Sequence, residues 1–142
     1  MKIINPEKST AQILLEKYCD AYNRRDLPLI LSLFTKDCNL WGTAIDEYRK
    51  GLKELEDQHL RDWSQSEKSE ILIQNSVPTE PEATWAAAIC QAAITIDGQR
   101  HVVDHLRGTI TIRQEDNQWK ISHMHASFPD YRNAENGSFP VQ

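Results

Sequence analysis

His123 and His125 stand two residues apart in the segment Ile121-Ser122-His123-Met124-His125-Ala126-Ser127. On a strand, that spacing puts both imidazoles on one face. Such a pair could share a metal ion, but no third ligand follows at metal-type spacing, so no metal is expected. Two other uses remain. The pair could belong to a hydrogen-bonded structural network with Arg107, Thr109 and Ser127, or it could touch a ligand. Imidazoles at such a place could also make assembly sensitive to pH.

His59 is a second candidate, one helical turn before Trp63. It is either a core histidine bonded to a backbone carbonyl or a general acid or base at a pocket wall, since its ordinary pKa suits neutral pH. Asp46 and Glu47 sit in a charged loop. They can be solvated or cap a helix. If the loop folds over a pocket mouth, one of them could take a proton, and burial would raise its pKa. His59 and Asp46 are therefore the candidate catalytic residues. Trp41, Trp63, Trp85 and Tyr22 could line an aromatic pocket or fill the core. His101, Asp104 and His105 lie near a hairpin and read as exposed and non-catalytic.

The elements that must hold these residues follow from hydrophobic period. Asn5-Pro6-Glu7 is a helix start, with Pro in the first turn. Ala11, Leu14, Leu15, Tyr18, Ala21 and Tyr22 then recur at helical spacing to about Arg24. Asp26 can cap a short second helix whose stripe is Leu27, Ile30, Leu31 and Phe34. Cys38 to Thr43 reads as a strand and Ala44 to Lys50 as a loop. A third helix runs from about Gly51 to Ser66, with Leu52, Leu55, His59 and Trp63 along one face.

Beyond that point the period becomes two. Strands are predicted over Glu70 to Val77, Ala83 to Ile96, His101 to Arg113 and Gln118 to Ser127. Asp97-Gly98 and Glu115-Asp116-Asn117 make the turns. Helices first and long meandering strands afterwards argue for an α+β fold. Long strands must twist and bend, and a bent sheet has a concave face where a ligand can sit.

Alternation sorts the strand residues. Leu106, Ile110 and Ile112 should face the helices, with Arg107, Thr109 and Arg113 on the other face. Met124 goes with the helix-covered face, His123 and His125 with the opposite one. The strand from Ala83 is apolar on both faces, so a partner subunit is the natural cover for the second. The pocket set expected from the sequence is Tyr22, Trp41, Thr43, His59, Trp63, Trp85, Gln91, Ile110 and Met124.

Bulk composition limits the alternatives. The 142 residues fit a single domain, with a core over about 6–128 and a polar tail at 129–142. Sixteen basic against twenty-one acidic residues give a net charge of −5, which disfavours a nucleic-acid partner. No apolar run is long enough for a membrane span, and no signal-type segment opens the chain, so a cytoplasmic location is expected. Cys19, Cys38 and Cys90 are odd in number and far apart, and read as buried reduced thiols, with a reactive Cys38 as the lesser alternative. No cofactor is expected.

Two segments together resemble a known family: Trp41-Gly42-Thr43-Ala44-Ile45-Asp46-Glu47 with Gly51, and Arg107-Gly108-Thr109 through the strand Trp119 to Ser127 with Phe128-Pro129. They look like the SnoaL-like proteins of the nuclear transport factor 2-like superfamily. Ala83 to Ser127 also resembles the association domain of calcium/calmodulin-dependent kinase II. The resemblance implies a cone-shaped fold, three N-terminal helices packed on a strongly curved antiparallel sheet, and a homodimer through the outer sheet face. At the positions of the kinase hub's pocket arginines this chain has Gln91, Ile110 and Ala126, while Trp63 matches the hub's pocket tryptophan. The superfamily includes isomerases, dehydratases and assembly hubs, so fold does not settle chemistry. Three functions are therefore carried forward. The first is a small-molecule-binding domain with a mixed apolar and polar pocket. The second is an isomerase, dehydratase or hydrolase acting on a small apolar carbonyl compound. The third is a homo-oligomeric assembly module.

Overall fold

The computed structural model describes residues 8–140. Helix α1 spans Thr10–Asn23 and opens on a capping box. The Ser9 hydroxyl accepts from the Gln12 N–H, and the Gln12 side chain accepts from the Ser9 N–H. The expected start at Asn5-Pro6-Glu7 lies outside the described residues. Asp26 caps α2 (Leu27–Leu33) by accepting from the Leu29 N–H, with Pro28 in the first turn, where its missing N–H costs nothing. Phe34, expected on the stripe of that helix, instead begins β1 (Phe34–Trp41) and is buried. A three-residue strand, β2 (Tyr48–Lys50), occupies what the sequence suggested was loop. Then come α3 (Gly51–Ser64), β3 (Lys68–Val77), β4 (Trp85–Ile96), β5 (Gln99–Glu115) and β6 (Gln118–Ser127).

The six strands form one sheet in the order β2-β1-β6-β5-β4-β3. Four of its five pairings are antiparallel, but β1 runs parallel to β6. The sheet is therefore mixed rather than antiparallel throughout. Side-chain period identifies a strand but not the direction of its neighbour, so the sequence could not reveal this. Register breaks at Ile73/Asn75, Cys90/Ala92 and Thr111/Ile112, together with the left-handed backbone of His105 (φ 64°), bend the long strands. The bent sheet wraps α1 and makes the cone.

The core lies between the helices and the concave face. Leu15, Tyr18, Ile30 and Leu55 from the helices meet Phe34, Ile110, Ile112, Ile121 and Met124 from the strands. On β4 the inward residues are small: Ala86, Ala88, Cys90 and Ala92. Asn23 ties the end of α1 to the sheet by donating to the Ile71 carbonyl (3.0 Å) and accepting from its N–H (2.7 Å). All three cysteines are buried thiols, and burial raises the pKa of Cys38 to about 11.

Candidate functional site

An open cavity of about 330 Å³ lies between α1, α3, the turn after β1 and the concave sheet face. Its sheet side is mostly apolar, with Ile71, Ala92, Ile94, Leu106 and Met124, and carries one hydroxyl, that of Ser69 on β3. The small side chain of Ala92 leaves part of this space. The helix side carries Tyr18, Tyr22, His59 and Asp62, with Glu47 from the turn.

His59 is almost wholly buried. Its Nδ1 lies 2.7 Å from the Leu55 carbonyl, an acceptor only, so Nδ1 carries the proton. Nε2 then accepts from the Tyr18 hydroxyl at 2.8 Å. Burial lowers the His59 pKa, which favours this neutral form, and raises that of the Tyr18 phenol. Both ring nitrogens are thus occupied, and no lone pair is free to take a substrate proton.

A second chain of bonds crosses the site. Arg49 Nε donates to Gln58 Oε1 (2.9 Å), Gln58 Nε2 donates to Asp62 Oδ1 (2.7 Å), and the Tyr22 hydroxyl donates to Asp62 Oδ2 (2.9 Å). Gln58, Asp62 and His59 share one face of α3, since they are three and four residues apart. Glu47 lies across from Asp62, and burial followed by the charge of Asp62 pushes its pKa up. Its contact with Arg61 is long, at 3.4 Å. Gly42 permits this placement: a Cβ there would stand 1.6 Å from Glu47 Oε2. The turn is closed by the Gly42 N–H donating to the Glu47 carbonyl at 3.0 Å.

The residues proposed from sequence divide into three groups. Tyr22, Thr43, His59 and Met124 line the cavity. Trp63 and Ile110 stand behind it. Trp63 packs on the Tyr22 and His59 rings at 5.9 and 5.7 Å, and Ile110 is fully buried in the core. Trp41, Trp85 and Gln91 are turned away, on the convex face. Trp85 and Gln91 share that face with Ile89, and Gln91 donates to Asp104. Trp41 follows the register Trp41↔His125 and lies edge-on to both His123 and His125. These three are corrections to the expected pocket. Asp46 also lies outside the lining. It is exposed and bonded twice to Arg61 (2.7 and 3.1 Å), which holds its carboxyl below the usual range.

Arg107, Thr109, His123, His125 and Ser127 occupy the convex face as cross-strand neighbours. The expected network takes another form. Among the described residues Arg107, Thr109, His125 and Ser127 make no side-chain hydrogen bond to one another; His123 pairs with Asn39 instead. No group of three potential metal ligands occurs among the described residues. Tyr18, Gln58, Asp62 and Phe128 belong to the wall or its bracing but escaped the sequence reading. Tyr18 lies one turn from Tyr22 on the same stripe, a signal that was available.

Three helices capping a bent, mixed six-stranded sheet define the nuclear transport factor 2-like cone. The chain belongs to the SnoaL-like domain family, whose model matches residues 12–131. No curated protein matches it. Solved structures share the fold at low identity. A ketosteroid isomerase-like protein from Erwinia carotovora atroseptica is 20% identical, with TM-score 0.65, covering 82% of this chain and 92% of the other. An LEH-like epoxide hydrolase from M. tuberculosis is 14% identical, with TM-score 0.68, covering 85% and 84%. A protein with a ketosteroid isomerase-like fold from Catenulispora acidiphila, in complex with trimethylamine, is 13% identical, with TM-score 0.65, covering 82% and 85%. No described helix is long and apolar enough to cross a membrane.

Proposed function

We propose that this chain binds a small, largely apolar molecule bearing one polar group. The observation that carries the reading is the division of the cavity wall. Aliphatic side chains of β3 to β6 line one side, and Glu47, Asp62 and Tyr22 gather on the other. A ligand laid across the cavity buries its hydrocarbon against Ile71, Leu106 and Met124 and leaves its polar group at the carboxylates. A thermal-shift panel of small cyclic alcohols, ketones and amines tests this, since a ligand that binds only the native state raises the melting temperature. The expected result is at least one compound that stabilises the wild type. A panel without a single stabilising compound would sink the reading.

The second reading is an isomerase, dehydratase or hydrolase on a small carbonyl compound. The feature that favours it is Glu47, whose pKa is raised by burial and by Asp62 and which therefore moves toward the range useful for proton transfer. His59 and Asp46 do not serve in this version, because their polar atoms are already engaged. Turnover that survives Glu47→Gln unchanged would remove it.

A homodimer through the convex face is also part of the proposal, as is a cytoplasmic location. The convex face exposes Trp41, Leu72, Val77, Trp85 and Ile89. A monomer rarely leaves so many large apolar side chains on one surface.

A further inference from the structure

The cavity wall has a sign as well as a polarity. Two carboxylates line it, from Glu47 and Asp62, and no lysine or arginine does among the described residues. The Glu70 carboxylate lies on the other face of β3 and pairs with Lys68. The nearby guanidinium groups have other work. Arg61 turns outward to Asp46, and Arg49 donates to Gln58. His59 is held neutral by its two bonds.

Hydrogen-bonding capacity points the same way. The phenols of Tyr18 and Tyr22 spend their donors, and the Gln58 amide one of its two, on acceptors within the wall. A ligand carboxylate or carbonyl would find few free donors there. Acceptors are in surplus. Glu47 has only its long contact with Arg61. Ser69, at 5% exposure, lines the cavity and its Oγ has no hydrogen-bond partner among the described residues. Its hydroxyl is turned toward the Tyr22 hydroxyl, whose pKa it lowers as a hydrogen-bonding neighbour does, at a geometry outside hydrogen-bond limits. A buried hydroxyl left in that state calls for a partner.

We infer that the cavity takes a protonated amine carrying a compact apolar group, with its ammonium near Glu47, Asp62 and Ser69. An ammonium supplies donors only, which is what the surplus acceptors lack. It neutralises part of the repulsion between Glu47 and Asp62. The aromatic residues Tyr22 and Phe128 also line the cavity, where a cation–π contact would add to its binding. The inference rests on the binding reading above and narrows it to one ligand class.

Three ligands of one shape and different charge test it at neutral pH: benzylamine, benzyl alcohol and benzoate, titrated by calorimetry into the wild type and Glu47→Gln. Benzylamine should bind about tenfold tighter than benzyl alcohol, the scale of one charge-assisted hydrogen bond. Benzoate should bind weakest. Added salt should weaken benzylamine alone. In Glu47→Gln the advantage of the amine over the alcohol should fall by roughly threefold or more, and a circular-dichroism spectrum and melting transition like those of the wild type check that the variant is folded. Benzyl alcohol or benzoate binding as tightly as benzylamine overturns the amine assignment and leaves the binding cavity standing. An advantage untouched by both salt and Glu47→Gln overturns it too. Binding by none of the three overturns both readings.

Discussion

The two faces of the sheet distribute side-chain size in opposite ways. On the concave face β4 presents Ala86, Ala88, Cys90 and Ala92, and large residues arrive from the helices and from β5 and β6. On the convex face the same strand presents Trp85 and Ile89, which are 45% and 47% exposed. Small residues under a helix leave space, and the cavity uses that space. Large residues on an uncovered face leave apolar area in water, which a second copy of the chain would cover. On the proposal above, the sheet keeps ligand chemistry and association on opposite faces, with one strand serving both.

The sharpest way to break that contrast is to truncate one isoleucine on each face. Ile110→Ala removes a fully buried side chain and should cost about 3 kcal/mol in urea unfolding. Ile89→Ala should cost under about 1 kcal/mol in a monomer. Equal costs at a protein concentration too low for assembly would contradict the division. Ile89→Glu should retain the fold and shift sedimentation from dimer to monomer, because a buried unpaired charge opposes association. A wild type that sediments as a monomer at micromolar concentration removes the partner.

Acid should distinguish the faces next. Because burial lowers the His59 pKa in the folded state, the unfolded chain takes up that proton first as pH falls. The contribution is intact above the ordinary histidine value of about 6.5 and is lost below it. His59→Gln should flatten the decline in melting temperature between neutrality and that acid range. It should also lower stability by about 1–3 kcal/mol, because the Tyr18 hydroxyl loses its acceptor. An unchanged slope would mean that His59 takes up its proton equally readily in the folded and unfolded chains.

Two smaller effects sharpen the comparison. Ala92→Leu fills the cavity and should abolish ligand-induced stabilisation, whereas Ala87→Leu on the convex face should leave it. Glu47→Gln should raise the melting temperature at neutral pH by about a degree or two. Burial raises the Glu47 pKa, so its stabilising proton is present below the unfolded glutamate value and lost as pH rises through the folded one. The gain from Gln should therefore vanish in acid.

The contrast between faces was only partly legible in the chain. On β5 and β6 polar and apolar residues alternate, so Ile110, Met124, His123 and His125 could be sorted by period alone. β4 defeats the same rule, because alanine stands on both faces and erases the contrast. Trp85, expected in the pocket as an aromatic, and Gln91, placed there by the kinase-hub resemblance, both face outward, and no alternation on this strand could correct either. Trp41 depends on its register against β6, which no local pattern encodes. β2 is too short to have a period. The approach of Glu47 to Asp62 joins a turn to a helix, and its one local clue was Gly42.

The parallel pairing of β1 with β6 has a consequence for how the chain comes to be. Residues that emerge early from the ribosome include α1, β1 and α3, and β1 lies between a three-residue strand and one made of Gln118–Ser127. Until that last segment has left the exit tunnel, β1 has an open edge and the core has no floor under Phe34, whose partner is Ile121. Contacts so distant in sequence slow folding and keep the nascent chain exposed to aggregation. A stop codon shortly before Gln118 should therefore yield a product that chaperones hold and proteases clear, although every element from α1 to β5 has been made.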